Sequence, residues 1–347
     1  MFELYKALRN YKPKNVKIEA CSICQLNCED CYMRKYNSGL PYGVGKGYLK
    51  AKDFEKFLQM NPYVERIELS NNGEIFLNPE LEEIIKIAYK YQILNGHQIL
   101  LTGYNGVNFN NVSDKVLEAL VKYNNIMALT LSIDGASQEI YSKYRRNGNF
   151  EKVIENIKKL NEYKKKYNSK FPQLLWQYII NKYDYDINEI KKAKKIAKEL
   201  DMEIFFKKDQ PGITENGDGF IPPNIEEIEQ ETGLNYSSKL LFEKNIELNK
   251  TRWLPCRDLF NEPQINYDGI FLGCTCKFKN LYKDNVFELG LEKVLKSKVV
   301  KQTKKMLMGK YKDKDFIKSF PCYNCWFYQK MKKENDFITK EEVKNMK

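Results

Sequence analysis

The 347-residue chain is 42% hydrophobic, enough for the packed core of one large domain with a smaller one attached. It has no apolar run long enough to cross a membrane, and its first residues lack the apolar core of a signal peptide, so we predict a cytoplasmic protein without a membrane span. The net charge of +12 comes mostly from lysines scattered over predicted helix faces, which argues against a nucleic-acid partner.

Apolar runs of strand length alternate with amphipathic helical stretches through the first two thirds of the chain. The predicted strands are 15–20, 64–70, 98–102, 127–133, 173–179 and 203–207. The predicted helices are 51–60, 79–91, 113–123, 150–167 and 187–200. Six β/α units in series predict a parallel sheet with right-handed crossovers, which can curve into a partial barrel that binds ligands at the carboxyl ends of its strands.

Turn-rich and charged segments divide the chain further. The predicted parts are a partial barrel (1–208), a linker or lid rich in Gly, Pro and acidic residues (209–255), a small carboxyl-terminal domain (256–328) and a charged tail (329–347). The only histidine, His97, opens a predicted strand and is interpreted as structural. The sequence therefore identifies no catalytic base.

Four cysteines lie within eleven residues after the first predicted strand. Cys21/Cys24 and Cys28/Cys31 form two CxxC pairs, but only three residues separate them, whereas structural zinc sites separate such pairs by a dozen or more. The odd total of nine cysteines argues against disulfides. The spacing Cys24-x3-Cys28-x2-Cys31 instead predicts three ligands of a 4Fe-4S cluster with one open iron. A structural metal knot is the alternative, and Cys21 is predicted to pack in the core.

CxxxCxxC followed by Tyr32, directly after a strand, resembles the cluster motif of the radical S-adenosylmethionine (SAM) superfamily. The resemblance implies that SAM chelates the open iron through its amino and carboxylate groups. It also implies that an electron from the cluster cleaves SAM to a 5′-deoxyadenosyl radical, which abstracts hydrogen from a substrate. An electron donor such as flavodoxin or ferredoxin is implied as a partner.

Segments after the later strands resemble the superfamily's SAM-binding motifs. An Asn-Gly-Glu triplet resembles the motif GGE that binds the SAM amino group, and the segment SIDG is similar to the one that faces the ribose or methionine part of SAM. Arg145 is expected to pair with the SAM carboxylate, because a guanidinium matches a carboxylate with two hydrogen bonds. Taken singly, such residues are also common in loops and caps. The implied cofactor-binding residues are Tyr32, Asn72, Gly73, Glu74, Asn105, Ser132, Asp134, Arg145 and Gln177.

The carboxyl-terminal cysteines predict a second metal site. Cys256, Cys274, Cys322 and Cys325 lie in a segment that resembles the SPASM/twitch extension of radical SAM enzymes, where four cysteines hold one auxiliary 4Fe-4S cluster. Tetrahedral zinc is the alternative, and Cys276 could replace Cys274 as a ligand. Four protein thiolates would leave no open iron, so the expected role is electron transfer.

The predicted fold class is therefore α/β, a partial (β/α)6 TIM-like barrel with a small carboxyl-terminal SPASM/twitch iron-sulfur domain. The expected function is a radical SAM oxidoreductase that dehydrogenates or epimerises a small, sugar-like molecule. A peptide-modifying maturase of the RiPP or sulfatase type is the alternative, and the short segment before the first strand favours small molecules. A tRNA-modifying iron-sulfur protein is a third possibility. The motifs leave the substrate and the hydrogen abstracted open.

Overall fold

Seven parallel strands form one sheet in the computed structural model. The structure describes residues 12–29, 31, 44–209, 220–236, 256–274, 282–310 and 320–345. In chain order the strands are β1 (Asn15–Ile18), β2 (Arg66–Glu68), β3 (Leu100–Val107), β4 (Ile126–Ser132), β5 (Gln173–Ile180), β6 (Met202–Lys208) and β7 (Gln264–Ile265). Across the sheet their order is β6-β5-β4-β3-β2-β1-β7, so the first six strands are neighbours in sequence and in space. The predicted partial (β/α)6 barrel is confirmed.

Helices connect the strands of the barrel. They are α1 (Ala51–Met60), α2 (Leu81–Asn95), α3 (Asp114–Lys122), α4 (Gln138–Tyr144), α5 (Phe150–Lys166), α6 (Ile187–Glu199) and α7 (Ile225–Thr232). Helices α3, α5 and α6 are capped by Ser113, Asn149 and Asp186, whose side chains accept hydrogen bonds from backbone N–H groups of the first turn. No helix in the described ranges combines the length and apolarity needed to span a bilayer.

The alternation of side chains along the strands gives the sheet one apolar and one polar face. Trp176 and Tyr178 of β5 are fully buried in the main core, and Tyr178 packs against the ring of Phe206 on β6. Gln177 lies between them and points to the opposite face, where it is in register with Ser132 of β4. The polar face at the carboxyl ends of the strands is therefore the place where a ligand can bind.

Strand β7 comes from the carboxyl-terminal segment and extends the barrel sheet beyond β1. It pairs with β1 through Lys17 with Gln264 and Ile18 with Ile265. The helices of this segment are α8 (Asp258–Asn261), α9 (Val286–Leu289), α10 (Leu291–Leu295), α11 (Lys298–Leu307), α12 (Trp326–Glu334) and α13 (Lys340–Asn345). The predicted boundary at residues 255/256 thus separates two parts that share one sheet.

Side-chain contacts join the same two parts. The ring of Phe287 on α9 meets the ring of Phe57 on α1 edge to face, with centroids 6.3 Å apart. The backbone N–H of Leu291 donates to Oδ1 of Asn61 at 3.0 Å, so the start of α10 is bonded to the end of α1.

Three elements differ from the sequence prediction. Helix α4 was not predicted, although Ser137 caps it by accepting from the N–H of Ile140. Helix α7 lies inside the segment predicted as a linker or lid. Strand β3 runs on to Val107, beyond the predicted end at residue 102, with register shifts against β4, so Asn105 lies in an irregular strand. In each case the segment is rich in polar or turn-forming residues, which mask the apolar periodicity.

Candidate active site at the carboxyl ends of the strands

The cysteine loop follows β1 and lies at the rim of the barrel. Cys21 is fully buried and forms a β-bridge with Tyr48. Cys28 is also buried, and Cys31 packs beside Val44 in a small apolar cluster. Burial raises the pKa of the Cys28 thiol, the neighbouring Arg145 guanidinium opposes that shift, and the Cys31 thiol adds to it. The second and third thiols of the motif are therefore close enough to interact.

The donor chemistry of this loop fits a three-cysteine iron-sulfur site, because three thiols lie within eight residues of one loop. Among the described residues, however, no three His, Cys, Asp or Glu side chains converge as a metal-binding group. Tyr32, the aromatic residue after the last cysteine, lies outside the described residues.

The loop after β2 packs directly on the cysteine loop. A Cβ added at Gly73 would lie 2.2 Å from the carbonyl oxygen of Cys21 and 2.7 Å from that of Ile23, so only glycine fits there. The next N–H, that of Glu74, donates to the Ile23 carbonyl at 2.8 Å. Asn72 is held by a hydrogen bond from its side-chain amide to buried Glu19. The triplet that resembles GGE is therefore fixed against the predicted cluster site.

Glu74 is a buried carboxyl group at the centre of this contact. Its Oε2 accepts from the N–H of Asn108 at 2.6 Å, and its Oε1 accepts from the N–H of Phe76 at 3.2 Å. The Asn108 side chain contacts Cys24, with 3.6 Å between Nδ2 and Sγ, and Gln25 at 2.8 Å. Burial raises the pKa of Glu74 to about 7, although the two N–H donors oppose the shift. One asparagine therefore links this carboxyl group to the first cysteine of the motif.

Arg145 lies beside the second cysteine. Its Nε donates to Oδ2 of Asp134 at 2.5 Å, and its Nη1 is 3.7 Å from Sγ of Cys28. The other oxygen of Asp134 accepts from the N–H of Ile179 at 2.7 Å, so both carboxylate oxygens have protein partners. Asp134 is fully buried and orients Arg145. A contact between Asp134 and SAM stays a prediction.

A row of polar side chains crosses the ends of β4, β5 and β6. Nε2 of Gln177 is 3.4 Å from Oγ of Ser132, and Oε1 of Gln177 accepts from the ammonium group of Lys207. A Cβ at Gly106 would lie 2.5 Å from that Ser132 hydroxyl, so β3 approaches this row closely. Asn105 precedes this glycine and is bonded through its N–H to the loop after β2. The predicted residues Ser132 and Gln177 are therefore in contact with each other, whereas Asn105 binds Ser70 in the loop after β2.

Sequence reasoning missed a buried carboxylate on β2. Glu68 accepts from the hydroxyl of Thr102 at 2.6 Å and from the N–H groups of Ser70 and Tyr104 at 2.9 Å each. It ties the ends of β2 and β3 together beneath the site. The available signal was an acidic residue between the apolar residues Ile67 and Leu69, where a buried charge needs several donors.

The carboxyl-terminal cysteines come from separate segments of the chain, and the thiols of three of them act on the pKa of one tyrosine. Burial raises the pKa of Tyr282 far above its usual range, and the thiols of Cys322, Cys274 and Cys256 add to the shift. Cys325 lies in the adjacent turn, where its N–H donates to the carbonyl of Cys322 at 3.1 Å. Cys276 lies outside the described residues, so the choice between it and Cys274 stays open.

Residues 18–171 match the family model of the radical SAM superfamily. The match contains the cysteine loop and the contacts of Glu74 and Arg145 described above. Residues 18–171 are therefore the domain of a radical SAM enzyme. A 4Fe-4S cluster and SAM are the cofactors of such an enzyme. No curated protein matches the sequence significantly.

Solved structures resemble this radical SAM enzyme along most of its length. Native anSMEcpe with bound AdoMet, which is SAM, has a TM-score of 0.57 and 14% identity over 90% of this chain and 87% of that chain. The same enzyme with AdoMet and the Kp18Cys peptide has a TM-score of 0.55 and 15% identity, with the same coverage of both chains. BtrN with AdoMet and 2-DOIA has a TM-score of 0.46 and 13% identity over 85% of this chain and 87% of that chain. This TM-score is too low to support a functional argument. At these identities the likeness to anSMEcpe shows the fold.

Proposed function

We propose that this radical SAM enzyme binds its cluster through Cys24, Cys28 and Cys31 and holds SAM with Glu74 and Arg145. The observation that carries this proposal is that the Arg145 guanidinium and the Glu74 carboxyl group both lie beside the cysteine loop. Arg145 lies 3.7 Å from one thiol, and Glu74 is linked to another through Asn108. SAM has a carboxylate and an amino group on one carbon, which these two groups complement. With the cluster, SAM supplies the radical that abstracts hydrogen.

The substrate of this reaction is proposed to be a small, polar, sugar-like molecule that is dehydrogenated or epimerised. The row formed by Ser132, Gln177 and Lys207 supports this proposal, because it presents hydrogen-bonding groups on the rim that also carries Glu74 and Arg145. Ser132 and Gln177, which are expected to bind SAM, would then also face the substrate. Such groups favour a ligand with several hydroxyl groups, since buried polar groups need partners.

An auxiliary 4Fe-4S cluster at Cys256, Cys274, Cys322 and Cys325 is proposed to accept the second electron of an oxidation. The electrostatic effect of Cys256, Cys274 and Cys322 on Tyr282 supports it, together with the turn that joins Cys322 to Cys325. Iron and sulfide analysis would give about eight of each per chain with two cubane clusters, against about four iron and one zinc with a tetrahedral zinc site.

The main experiment is anaerobic reconstitution with iron and sulfide, followed by dithionite and SAM. We expect release of 5′-deoxyadenosine by the wild type and none by the variant with Cys24, Cys28 and Cys31 all replaced by alanine. Cys21→Ala is the matched control, because Cys21 lies outside the motif and is expected to leave cleavage intact. Cleavage of SAM by the triple variant would show that the cluster assignment is wrong.

Substrate class is tested with the same protein. Small-molecule and peptide fractions of a cell extract are compared for stimulation of 5′-deoxyadenosine release, and the product is analysed after reaction in D₂O. Solvent deuterium in an unoxidised product indicates epimerisation, and loss of two hydrogens indicates dehydrogenation. Stimulation by the peptide fraction alone would contradict a small-molecule substrate.

A further inference from the structure

Glu29 lies inside the cysteine motif, directly after Cys28, and binds groups from two other loops of the barrel rim. Its Oε2 accepts from Nη2 of Arg146 at 2.9 Å and from the hydroxyl of Tyr183 at 2.7 Å. Its Oε1 accepts from Nζ of Lys182 at 2.7 Å. One carboxylate thus joins the cysteine loop to the loop after α4 and to the loop after β5.

The backbone strengthens the first of these links. The N–H of Asn27 donates to the carbonyl of Arg146 at 2.9 Å, so the residues before and after Cys28 both bind Arg146. The neighbouring Arg145 contacts the thiol of Cys28 itself. Two adjacent arginines therefore contact the middle of the cysteine loop, one at its thiol and one at its flanking residues.

The side chain of Glu29 is 27% exposed where it meets Lys182 and Tyr183. These two residues line an open cavity of about 690 Å³, together with Lys143, Tyr185 and Asp186 among others. The hydrogen bonds of Glu29 therefore form at a site that solvent reaches. Charge-assisted bonds in a network stabilise a conformation more than an isolated surface ion pair does.

We propose that Glu29 is a positioning residue that holds the cysteine loop in the conformation that binds the cluster. This inference rests on the proposed function, in which Cys24, Cys28 and Cys31 hold the cluster. Glu29 is itself no cluster ligand in this proposal. It acts through Arg146, Lys182 and Tyr183, and its loss allows the loop to open and release iron faster.

The chain offers a matched control for Glu29. Glu118 on α3 binds the same two kinds of donor from consecutive residues, Nζ of Lys166 at 2.8 Å and the hydroxyl of Tyr167 at 2.6 Å. The side chain of Glu118 is 34% exposed and that of Glu29 is 27% exposed, so solvent screens both to a similar degree. Glu118 lies away from the cysteine loop. The two carboxylates therefore bind similar donors but differ in their position in the fold.

The test compares Glu29→Gln with Glu118→Gln in the full chain after anaerobic reconstitution. The readouts are the rate of iron loss to a chelator and the change that SAM produces in the EPR spectrum of the reduced cluster. We expect Glu29→Gln to lose iron from the SAM-responsive cluster roughly 3- to 10-fold faster than the wild type, and Glu118→Gln to match the wild type. The melting temperatures of both variants are measured to separate general stability from loop position.

Lys182→Met with Tyr183→Phe removes two donors without changing the cysteine loop, and keeps the test valid if Glu29→Gln does not fold. Adding Glu29→Gln to that pair should accelerate iron loss by less than the product of the separate effects, because the groups act as one unit. The proposal would be overturned if Glu29→Gln lost iron at the same rate as Glu118→Gln. It would also be overturned if the effects of Glu29→Gln and of the Lys182/Tyr183 pair on iron loss were strictly multiplicative. In both cases the cluster assignment would stand. A wild type without any SAM-responsive cluster would overturn that assignment, and with it the role of Glu29.

Discussion

Arg145 is held by Asp134 at one nitrogen and reaches Cys28 with another. Because Asp134 engages Nε, the terminal nitrogens extend toward the cysteine loop, where the carboxylate of SAM is proposed to bind. The position of this guanidinium is therefore fixed before the ligand arrives, which lowers the entropy cost of binding.

Replacing Arg145 by alanine is expected to weaken SAM binding without removing iron. Loss of a charge-assisted contact costs about 1.5–3 kcal/mol, which corresponds to a roughly 10- to 150-fold higher Kd. Equilibrium binding to the reconstituted protein measures the change. Lys143→Ala is the control, because Lys143 lies on the adjacent helix α4 and pairs with Glu139 at 3.0 Å. An unchanged Kd for Arg145→Ala would refute the assignment.

Glu74 predicts a pH dependence in the iron-free protein. Its pKa rises from the usual 4.5 to about 7 on folding, so the folded state binds more protons than the unfolded state between these values. The free energy of unfolding should therefore fall as the pH rises through this window, by up to about 3 kcal/mol for this group.

Urea unfolding at pH 5 and pH 7.5 measures this effect by comparing the wild type with Glu74→Gln. The amide stays neutral, so the stability of the wild type relative to the variant should decrease as the pH rises. A constant difference between the two proteins would show that Glu74 does not carry the dependence.

At the scale of elements, the decisive contact is between the loop after β2 and the cysteine loop, where Gly73 faces three backbone atoms. Its substitution by alanine places a Cβ against atoms that cannot move independently. We expect Gly73→Ala to cost about 1–3 kcal/mol and to reduce iron binding at the first site, because the cysteine loop must shift.

Gly96 provides the comparison for this prediction. It ends α2 in a left-handed conformation with nothing within 4 Å of an added Cβ. Gly96→Ala should cost about 1–2 kcal/mol through backbone strain alone and leave iron binding intact. Equal iron binding by Gly73→Ala and Gly96→Ala, measured after reconstitution, would argue against a close fit of the two loops.

The order of elements was predictable because the alternation of apolar runs is a local property. The six barrel strands and the position of the cysteine loop after β1 follow from it. Glu29 was not predictable, since its donors Arg146 and Lys182 come from distant parts of the sequence. The sequence marked Glu68 as unusual but not its contact with Thr102 on the next strand. For Asp134 the motif gave the residue, but only the structure shows that both its oxygens have protein partners.

At the scale of the whole molecule, the carboxyl-terminal segment and the barrel share one sheet and one core, because β7 pairs with β1 and α9 packs on α1. Two parts joined in this way are expected to unfold together. Domains with small polar interfaces would instead unfold in separate steps.

Ile265→Ala tests this coupling. Ile265 is fully buried in β7, and its truncation should cost about 2–5 kcal/mol. Hydrogen exchange should then show an equal loss of protection in β5 and in α11, although the change lies in neither. Ile93→Ala, at a side chain that is 63% exposed, should shift stability by less than about 0.5 kcal/mol. Loss of protection in α11 alone would show that the barrel is stable by itself.

The pairing of β1 with β7 also has a consequence for synthesis on the ribosome. Among the described strands β1 is the first to emerge, yet one of its two neighbours, β7, is the last to be made. Until Gln264 and Ile265 leave the exit tunnel, the edge of the nascent sheet at β1 stays unpaired beside the cysteine loop. Open strand edges pair readily with other chains, so the growing chain is most vulnerable to aggregation during this interval.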